Sequence, residues 1–156
     1  MPATEKALLH ATALVVGDRG ALLLGPSGSG KSAIASSLVD RAGWAGRFAA
    51  LVSDDQCLIH RAGGRLLCSA PETLKGGIEI RGAGLFALPN EPSAVIHLVA
   101  RLVEPGHSLR YPGEGGFDVE GLNIHCLDLP AGEINAACRA IESCLFRTRW
   151  PASLEW

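Results

Sequence analysis

A glycine-rich segment in the first quarter of the chain constrains the fold more than any other feature of this sequence. Residues 25–32 read Gly-Pro-Ser-Gly-Ser-Gly-Lys-Ser and fit the phosphate-binding pattern G-x-x-x-x-G-K-[ST] at every fixed position. Glycines allow a loop so tight that successive backbone N–H groups point inward at a phosphate. The pattern therefore predicts a phosphate-binding loop (P-loop), which needs a strand before it and a helix after it.

Two side chains of this loop carry chemistry of their own. Lys31 supplies a mobile cation for the β- and γ-phosphates of a nucleotide, and the Ser32 hydroxyl is a candidate Mg²⁺ ligand. The candidate nucleotide-binding residues are Gly25, Pro26, Ser27, Gly28, Ser29, Gly30, Lys31 and Ser32.

The flanking sequence meets both structural requirements of the loop. Ala21–Leu24 is a short apolar run that predicts a buried strand directly before it. After the loop, apolar residues recur at helical spacing and predict a helix over 31–43, which Gly43 is expected to end.

Apolar runs bounded by turn residues predict most of the remaining elements. Gly17–Gly20 is typical of a turn that closes a β-hairpin between strands at 10–16 and 21–24. Further strands are predicted at 47–53, 56–60, 65–69, 93–103 and 122–127, a long functional loop with small elements at 70–93, and a closing helix at about 131–147. Hairpins combined with one strand–helix unit predict an α/β fold with a mixed sheet and flanking helices.

Size and composition limit the possible classes of protein. Residues 1–156 are expected to form a single domain. With a formal net charge of −2 and no block of like charges, neither a nucleic-acid surface nor an anionic-membrane surface is expected. The sequence has no apolar stretch long enough for a membrane span and no signal-peptide pattern at its start. Its five cysteines form no C-x-x-C pair and are typical of core residues in a reducing compartment, so a cytoplasmic protein is expected.

Two adjacent carboxylates follow the predicted strand at 47–53. Asp54 and Asp55 would lie at the carboxyl end of that strand, where ligands bind in α/β sheets. One carboxylate can then face Ser32 and a metal ion, while the other takes the proton of an attacking hydroxyl. A pair of this kind can also only cap local N–H groups in a turn, and the residues alone leave both interpretations open.

Four further residues are weaker candidates on their own. Glu79 and Arg81 are expected on one face of an extended segment among glycines, which suits either a substrate or phosphate contact or a plain surface ion pair. His10 begins the first predicted strand, where a histidine is either structural or part of a site. Arg110 is either a cation for a transition state or a solvated surface charge.

The order of these motifs resembles the catalytic domain of HPr kinase/phosphorylase. From about residue 5 to residue 130 the chain carries, in the family's order, His10, the P-loop, Val52-Ser-Asp-Asp55, Ala70-Pro71 and Ile78-Glu-Ile-Arg-Gly-Ala-Gly84. The Ile-Glu-Ile-Arg-Gly-x-Gly element is far more specific than the P-loop. The resemblance is to the short form of the family, which lacks an additional N-terminal domain. It implies a P-loop core of the kind also found in phosphoenolpyruvate carboxykinase.

The resemblance also implies an activity. Family members use ATP and Mg²⁺ to phosphorylate a serine of HPr, the small phosphocarrier of the sugar phosphotransferase system. They also catalyse the reverse dephosphorylation, in which inorganic phosphate attacks the phosphoserine. Because longer members assemble into hexamers, the resemblance further implies a homo-oligomer.

Roles for the phosphate and metal side of the site follow from matched positions. His10 matches the family's active-site histidine, and Lys31 matches the catalytic lysine of the P-loop. Ser32 and Glu79 match the Mg²⁺ ligands.

The acid/base side of the site follows from the same resemblance. The Asp54–Asp55 pair matches the family's acid/base site, with Asp55 favoured as the group that touches the substrate serine, and Arg110 aligns more loosely with a catalytic arginine. One departure concerns the segment Leu127–Glu133. It lacks the arginine of the family's Pro-x-x-Pro-Gly-Arg-Asn element, which is associated with the phosphorylase activity.

Two other classes of function fit a P-loop of this kind. A kinase of small metabolites is one, although the region after Arg81 is poor in charge and has no arginine-dense lid segment. A nucleotide- or phosphate-sensing module that controls a partner, such as a signalling kinase, is the other. It would bind ATP without transferring phosphate and would tolerate Asp55→Asn.

Overall fold

A mixed β-sheet with two helices on one face organises the part of the chain that the computed structural model describes, residues 5–150. The helices are α1 (Lys31–Trp44) and α2 (Ile134–Phe146). The strands are β1 (Ala7–Leu9), β2 (Ala11–Val16), β3 (Arg19–Leu24), β4 (Ala49–Ser53), β5 (Cys57–Ala62), β6 (Arg65–Ser69), β7 (Gly77–Ile80), β8 (Gly84–Ala87), β9 (Ser93–Val103), β10 (Phe117–Val119), β11 (Leu122–Ile124) and β12 (Cys126–Pro130).

The strand order of the main sheet determines which loops meet at one edge. The order is β1-β5-β6-β9-β3-β2-β4, with β12 also paired to β9. Because β2 is antiparallel to both β3 and β4, these two strands run in the same direction on either side of it. The carboxyl ends of β3 and β4 therefore flank the amino end of β2.

The two faces of the sheet are buried against different partners. Side chains alternate along a strand, so Leu23 of β3 points into a core formed with α1 and α2, while Leu22 points into a core formed with β5 and β6. Both leucines are fully buried. The helices thus pack on one face of the sheet, and side chains of β5 and β6 contribute to the core on the other face.

The α/β prediction with a mixed sheet and flanking helices is confirmed. β2 and β3 form the predicted antiparallel hairpin, and β5 and β6 form the second one. β9 pairs in parallel with β3 and β12 and in antiparallel with β6, which makes the sheet mixed. Within residues 5–150, no helix is both long and apolar enough to cross a membrane.

Several predicted elements differ from the structure in their bounds, and two of these differences have a clear structural cause. The strand predicted at 122–127 is interrupted at His125, because β11 pairs with β10 whereas β12 joins the main sheet beside β9. The first helix does not stop at Gly43 but continues to Trp44. Gly46, with φ +71°, supplies the left-handed residue after the helix end.

The predicted loop at 70–93 contains a separate hairpin of two strands, β7 and β8. Ile78 anchors this hairpin in the helix-side core, while the side chains of β8 are exposed. After the hairpin, the backbone at Pro89 and Glu91 bonds to Leu51 on the open edge of β4. The hairpin is therefore held beside the end of β4, next to Asp54.

Candidate active site

The P-loop occupies the turn between β3 and α1, as the sequence predicts. Gly25, Gly28 and Gly30 have φ values of +154°, +82° and +107°, a backbone region that disfavours other residues. A Cβ on Gly30 would lie 2.7 Å from Cδ1 of Ile134 at the start of α2. The loop is thus packed closely against the start of α2 at Gly30.

Lys31 lies buried at the first position of α1. Its Nζ donates hydrogen bonds to the carbonyls of Gly25, at 2.7 Å, and Pro26, at 3.2 Å. Burial lowers the pKa of the Lys31 ammonium, and the carboxylates of Asp55 and Asp54 oppose that shift. The ammonium therefore lies inside the loop and within the field of both aspartates.

Asp54 is the centre of a hydrogen-bond network that joins three elements. Its Oδ1 accepts from the hydroxyls of Ser32, at 2.7 Å, and Thr12, at 2.9 Å. Its Oδ2 accepts from the backbone N–H of Glu79 at 3.2 Å. The side chain is 9% exposed, so these donors replace water around the carboxylate. Asp54 thereby connects the P-loop, β2 and the β7–β8 hairpin.

Asp55 turns the opposite way and pairs with His10. Its φ of +66° places the residue in the left-handed region, which sends its side chain away from Asp54. The Asp55 carboxylate Oδ1 lies 3.1 Å from Nε2 of His10, and both side chains are more than half exposed. The structure thus brings the two sequence candidates together at the surface of the site.

Thr12 is a site residue that sequence reasoning missed. It is fully buried on β2, where its hydroxyl contacts Asp54 and accepts a hydrogen bond from the Asp55 N–H at 3.2 Å. The signal available in the sequence was a polar residue within the otherwise apolar run Ala11–Val16.

The β7–β8 hairpin brings Glu79 and Arg81 to the P-loop. The backbone N–H of Glu79 donates to the Asp54 carboxylate, while the Glu79 side chain is exposed. Arg81 follows β7 in the turn, and a Cβ on Gly28 would lie 3.4 Å from its Nη2. The guanidinium therefore extends over the phosphate-binding loop. The sequence expectation that both residues share one extended segment is wrong for Arg81, which lies beyond the strand.

Arg110 is not brought to this cluster. It is exposed, lies against the ring of its neighbour Tyr111 and lines a groove with β12 and the C-terminal half of α2. The P-loop meets α2 at its first residue, Ile134. The described structure therefore separates Arg110 from Lys31 and the aspartates.

The donors at the P-loop fit a nucleoside triphosphate with Mg²⁺. The first N–H groups of a helix have no intrahelical acceptor, and α1 opens here with a buried ammonium. The Ser29 hydroxyl is buried in the same loop without a hydrogen-bond partner among the described residues. Ser32 donates its hydrogen to Asp54, which leaves oxygen lone pairs for a metal. Residues 5–150 contain no cluster of three or more His, Cys, Asp or Glu side chains placed to hold a metal ion.

Comparison of the chain with known proteins identifies one family and several similar proteins. Residues 2–91 match the family model described as HPr Serine kinase C-terminal domain. An HPr kinase/phosphorylase of Peptoclostridium acidaminophilum is 33% identical over 133 residues, which cover 81% of this chain and 41% of that protein. An HPr kinase/phosphorylase of Mycoplasmopsis pulmonis is 37% identical over 82 residues, 53% of this chain and 25% of that protein.

A solved structure supports the same relationship through its fold. The Hpr(Ser) kinase/phosphatase from Coxiella burnetii superposes with a TM-score of 0.73 at 26% identity, covering 90% of this chain and 94% of that one. The matched regions span between a quarter and about two fifths of the curated relatives' lengths.

Proposed function

Because the chain belongs to the HPr serine kinase C-terminal domain family, we propose that it transfers the γ-phosphate of ATP to a serine of an HPr-type phosphocarrier protein. The observation that carries this proposal is the meeting of the P-loop, the buried Asp54 and the exposed Asp55–His10 pair at one sheet edge. Phosphoryl transfer needs a phosphate cradle, a metal-side acid and a base facing the acceptor, and each has a candidate here.

The phosphate side of the mechanism belongs to α1 and its loop. The N–H groups at the start of α1 and the Lys31 ammonium would hold the β- and γ-phosphates. Arg81, whose guanidinium extends over Gly28, would contact the phosphates from the hairpin side. Mg²⁺, held by Ser32 and Glu79, would neutralise charge on the phosphate oxygens. Asp54 would fix the Ser32 hydroxyl in the orientation that exposes its lone pairs.

The acceptor side of the mechanism belongs to Asp55. Its exposed carboxylate is accessible to a serine hydroxyl on another protein, from which it would take the proton as the oxygen attacks the γ-phosphate in line. His10, 3.1 Å away, would orient that carboxylate. For Arg110 to act as a transition-state cation, the loop that carries it would have to move toward the P-loop.

The test is transfer of label from γ-³²P-ATP with Mg²⁺ to purified HPr, compared with an HPr variant whose acceptor serine is alanine. We expect label on the wild-type carrier alone, and none with the Lys31→Ala enzyme. Lys6→Ala is the control, because the Lys6 ammonium lies at an exposed position near Ser69. Label on the serine-free carrier, or full activity of Lys31→Ala, would contradict the proposal.

The same assay separates the other classes of function. A nucleotide-sensing module would bind ATP without labelling any acceptor, and a metabolite kinase would label small hydroxyl compounds instead of HPr. For the reverse reaction, incubation of serine-phosphorylated HPr with inorganic phosphate would yield free HPr and pyrophosphate, since phosphate forms a bond to the phosphorus as the serine oxygen leaves.

A further inference from the structure

One buried hydroxyl joins the carboxylate of Asp54 to the backbone of Asp55. Thr12 Oγ1 donates its single hydrogen to Asp54 Oδ1 at 2.9 Å and accepts the Asp55 N–H at 3.2 Å. Thr12 is fully buried, and removing its hydroxyl would take this partner away from both the Asp54 oxygen and the Asp55 N–H. One side chain therefore holds the carboxylate of Asp54 and the backbone of Asp55.

Asp55 needs such a restraint because its backbone is unusual. A φ of +66° costs energy for a residue other than glycine, and surrounding bonds must hold it in place. The Ala11 N–H donates to the Asp55 carbonyl at 3.1 Å, and Thr12 holds the N–H of the same residue. The start of β2 therefore bonds both polar groups of the Asp55 backbone.

We propose that Thr12 is a positioning residue, which fixes Asp55 relative to Asp54 and the P-loop without touching the substrate itself. This inference rests on the proposed function for its catalytic consequence, whereas its structural part concerns the Asp55 backbone alone. The rate of a catalysed step falls steeply when a catalytic group is displaced. A displaced Asp55 would therefore lower the rate of phosphoryl transfer by a larger factor than the affinity for ATP.

The test compares Thr12→Val, which has nearly the same shape but no hydroxyl, with Thr12→Ser, which keeps the hydroxyl. Thr148→Val is the matched control, because Thr148 is exposed and lies after α2. The first measurement is hydrogen exchange of the Asp55 amide by NMR, without nucleotide. We expect faster exchange in Thr12→Val alone, because its amide has lost the acceptor.

The second measurement is steady-state kinetics of phosphoryl transfer. We expect Thr12→Val to lower kcat roughly 10- to 100-fold with the KM for ATP nearly unchanged, and Thr12→Ser to restore most of kcat. Unchanged Asp55 exchange and kcat in Thr12→Val would overturn the proposal, as would a serine variant as impaired as the valine variant. If wild-type protein transfers no phosphate while the exchange result holds, the proposed function fails and the positioning of Asp55 by Thr12 stands.

Discussion

The left-handed backbone of Asp55 gives two adjacent carboxylates different surroundings. Asp54 continues the direction of β4 and is buried among donors from Ser32, Thr12 and Glu79. Asp55, at φ +66°, turns outward to His10 and solvent. Simple alternation along a strand would also have separated the two side chains, but here a turn after β4 does so. Under the proposed function, this backbone conformation would put Asp54 on the metal side and Asp55 on the acceptor side.

The role proposed for Asp55 predicts a specific loss of activity in Asp55→Asn. Asparagine adopts positive φ readily, so the backbone should be kept while the proton acceptor is lost. We expect kcat for phosphoryl transfer to fall by about 10²- to 10⁴-fold and ATP affinity, measured by calorimetry, to stay nearly constant. Asp18→Asn, at an exposed turn, is the control and should behave as wild type. Full activity in Asp55→Asn would exclude this residue as the base.

A buried thiol predicts how stability changes at alkaline pH. Burial raises the pKa of Cys138 on α2 to about 11. The folded state thus holds this proton more tightly than the unfolded chain, whose thiol has a pKa near 8.5. The stabilisation is complete below the unfolded value and is lost as pH rises toward 11.

The measurement is urea unfolding of wild type and Cys138→Ala between pH 8 and 11. We expect the wild-type free energy of unfolding to fall more steeply over this range, because the alanine variant lacks one of the buried thiols that must ionise. The variant should be less stable at pH 8, since it leaves a small cavity. Parallel pH profiles for the two proteins would contradict the prediction.

At the scale of elements, helix α1 shows why a glycine alone does not determine where a helix ends. Gly43 was expected to stop the helix, yet it lies one residue before the last, Trp44, with no positive φ. Gly46 takes the left-handed conformation instead, and the Arg47 N–H bonds to the Ala42 carbonyl. Two glycines three residues apart are equivalent in sequence, and the path of the chain toward β4 distinguishes them.

The two glycines should therefore respond in opposite ways to alanine. A Cβ on either glycine meets no atom within 4 Å, so the backbone conformation decides the outcome. We expect Gly43→Ala to raise the free energy of unfolding by about 0.4–1 kcal/mol and Gly46→Ala to lower it by about 1 kcal/mol. Urea denaturation with a common m-value measures both, and equal signs for the two variants would contradict the helix end described above.

At the scale of the whole molecule, the central sheet belongs to two cores at once. Neighbouring residues on β3 point to opposite faces of the sheet. Leu23 lies in the core formed with the helices, and Leu22 lies in the core formed with β5 and β6. Neither core can be disrupted without exposing one face of the same strands. The sequence predicts a single domain over residues 1–156, which stays a prediction. If it is correct, the shared strands should make the two cores unfold together in one cooperative transition.

Leu22→Ala and Leu23→Ala test this coupling between the cores. Each removes a fully buried side chain, and we expect each to lower the free energy of unfolding by about 2–5 kcal/mol. Circular dichroism of the helices and fluorescence of a probe on an outer strand should follow one shared transition in both variants. Separate transitions by the two probes would indicate that the cores unfold independently.

Local patterns in the amino-acid sequence are sufficient to predict the individual units of this fold. The loop at 25–32, its flanking strand and helix, and both hairpins follow from residue types at short spacing, because glycine conformation and apolar periodicity act locally. The P-loop residues and the candidates Asp54, Asp55, His10 and Glu79 were identified in the same way or by resemblance.

The way in which those units meet follows from contacts between distant parts of the chain. β4 pairs with β2 rather than with β3, so the amino end of β2 lies between the P-loop and the aspartates. That placement makes Thr12 the link between Asp54 and Asp55, brings His10 to Asp55, and leaves Arg110 beside α2. Strand order depends on packing between residues far apart in the chain, and no local pattern in the sequence records it.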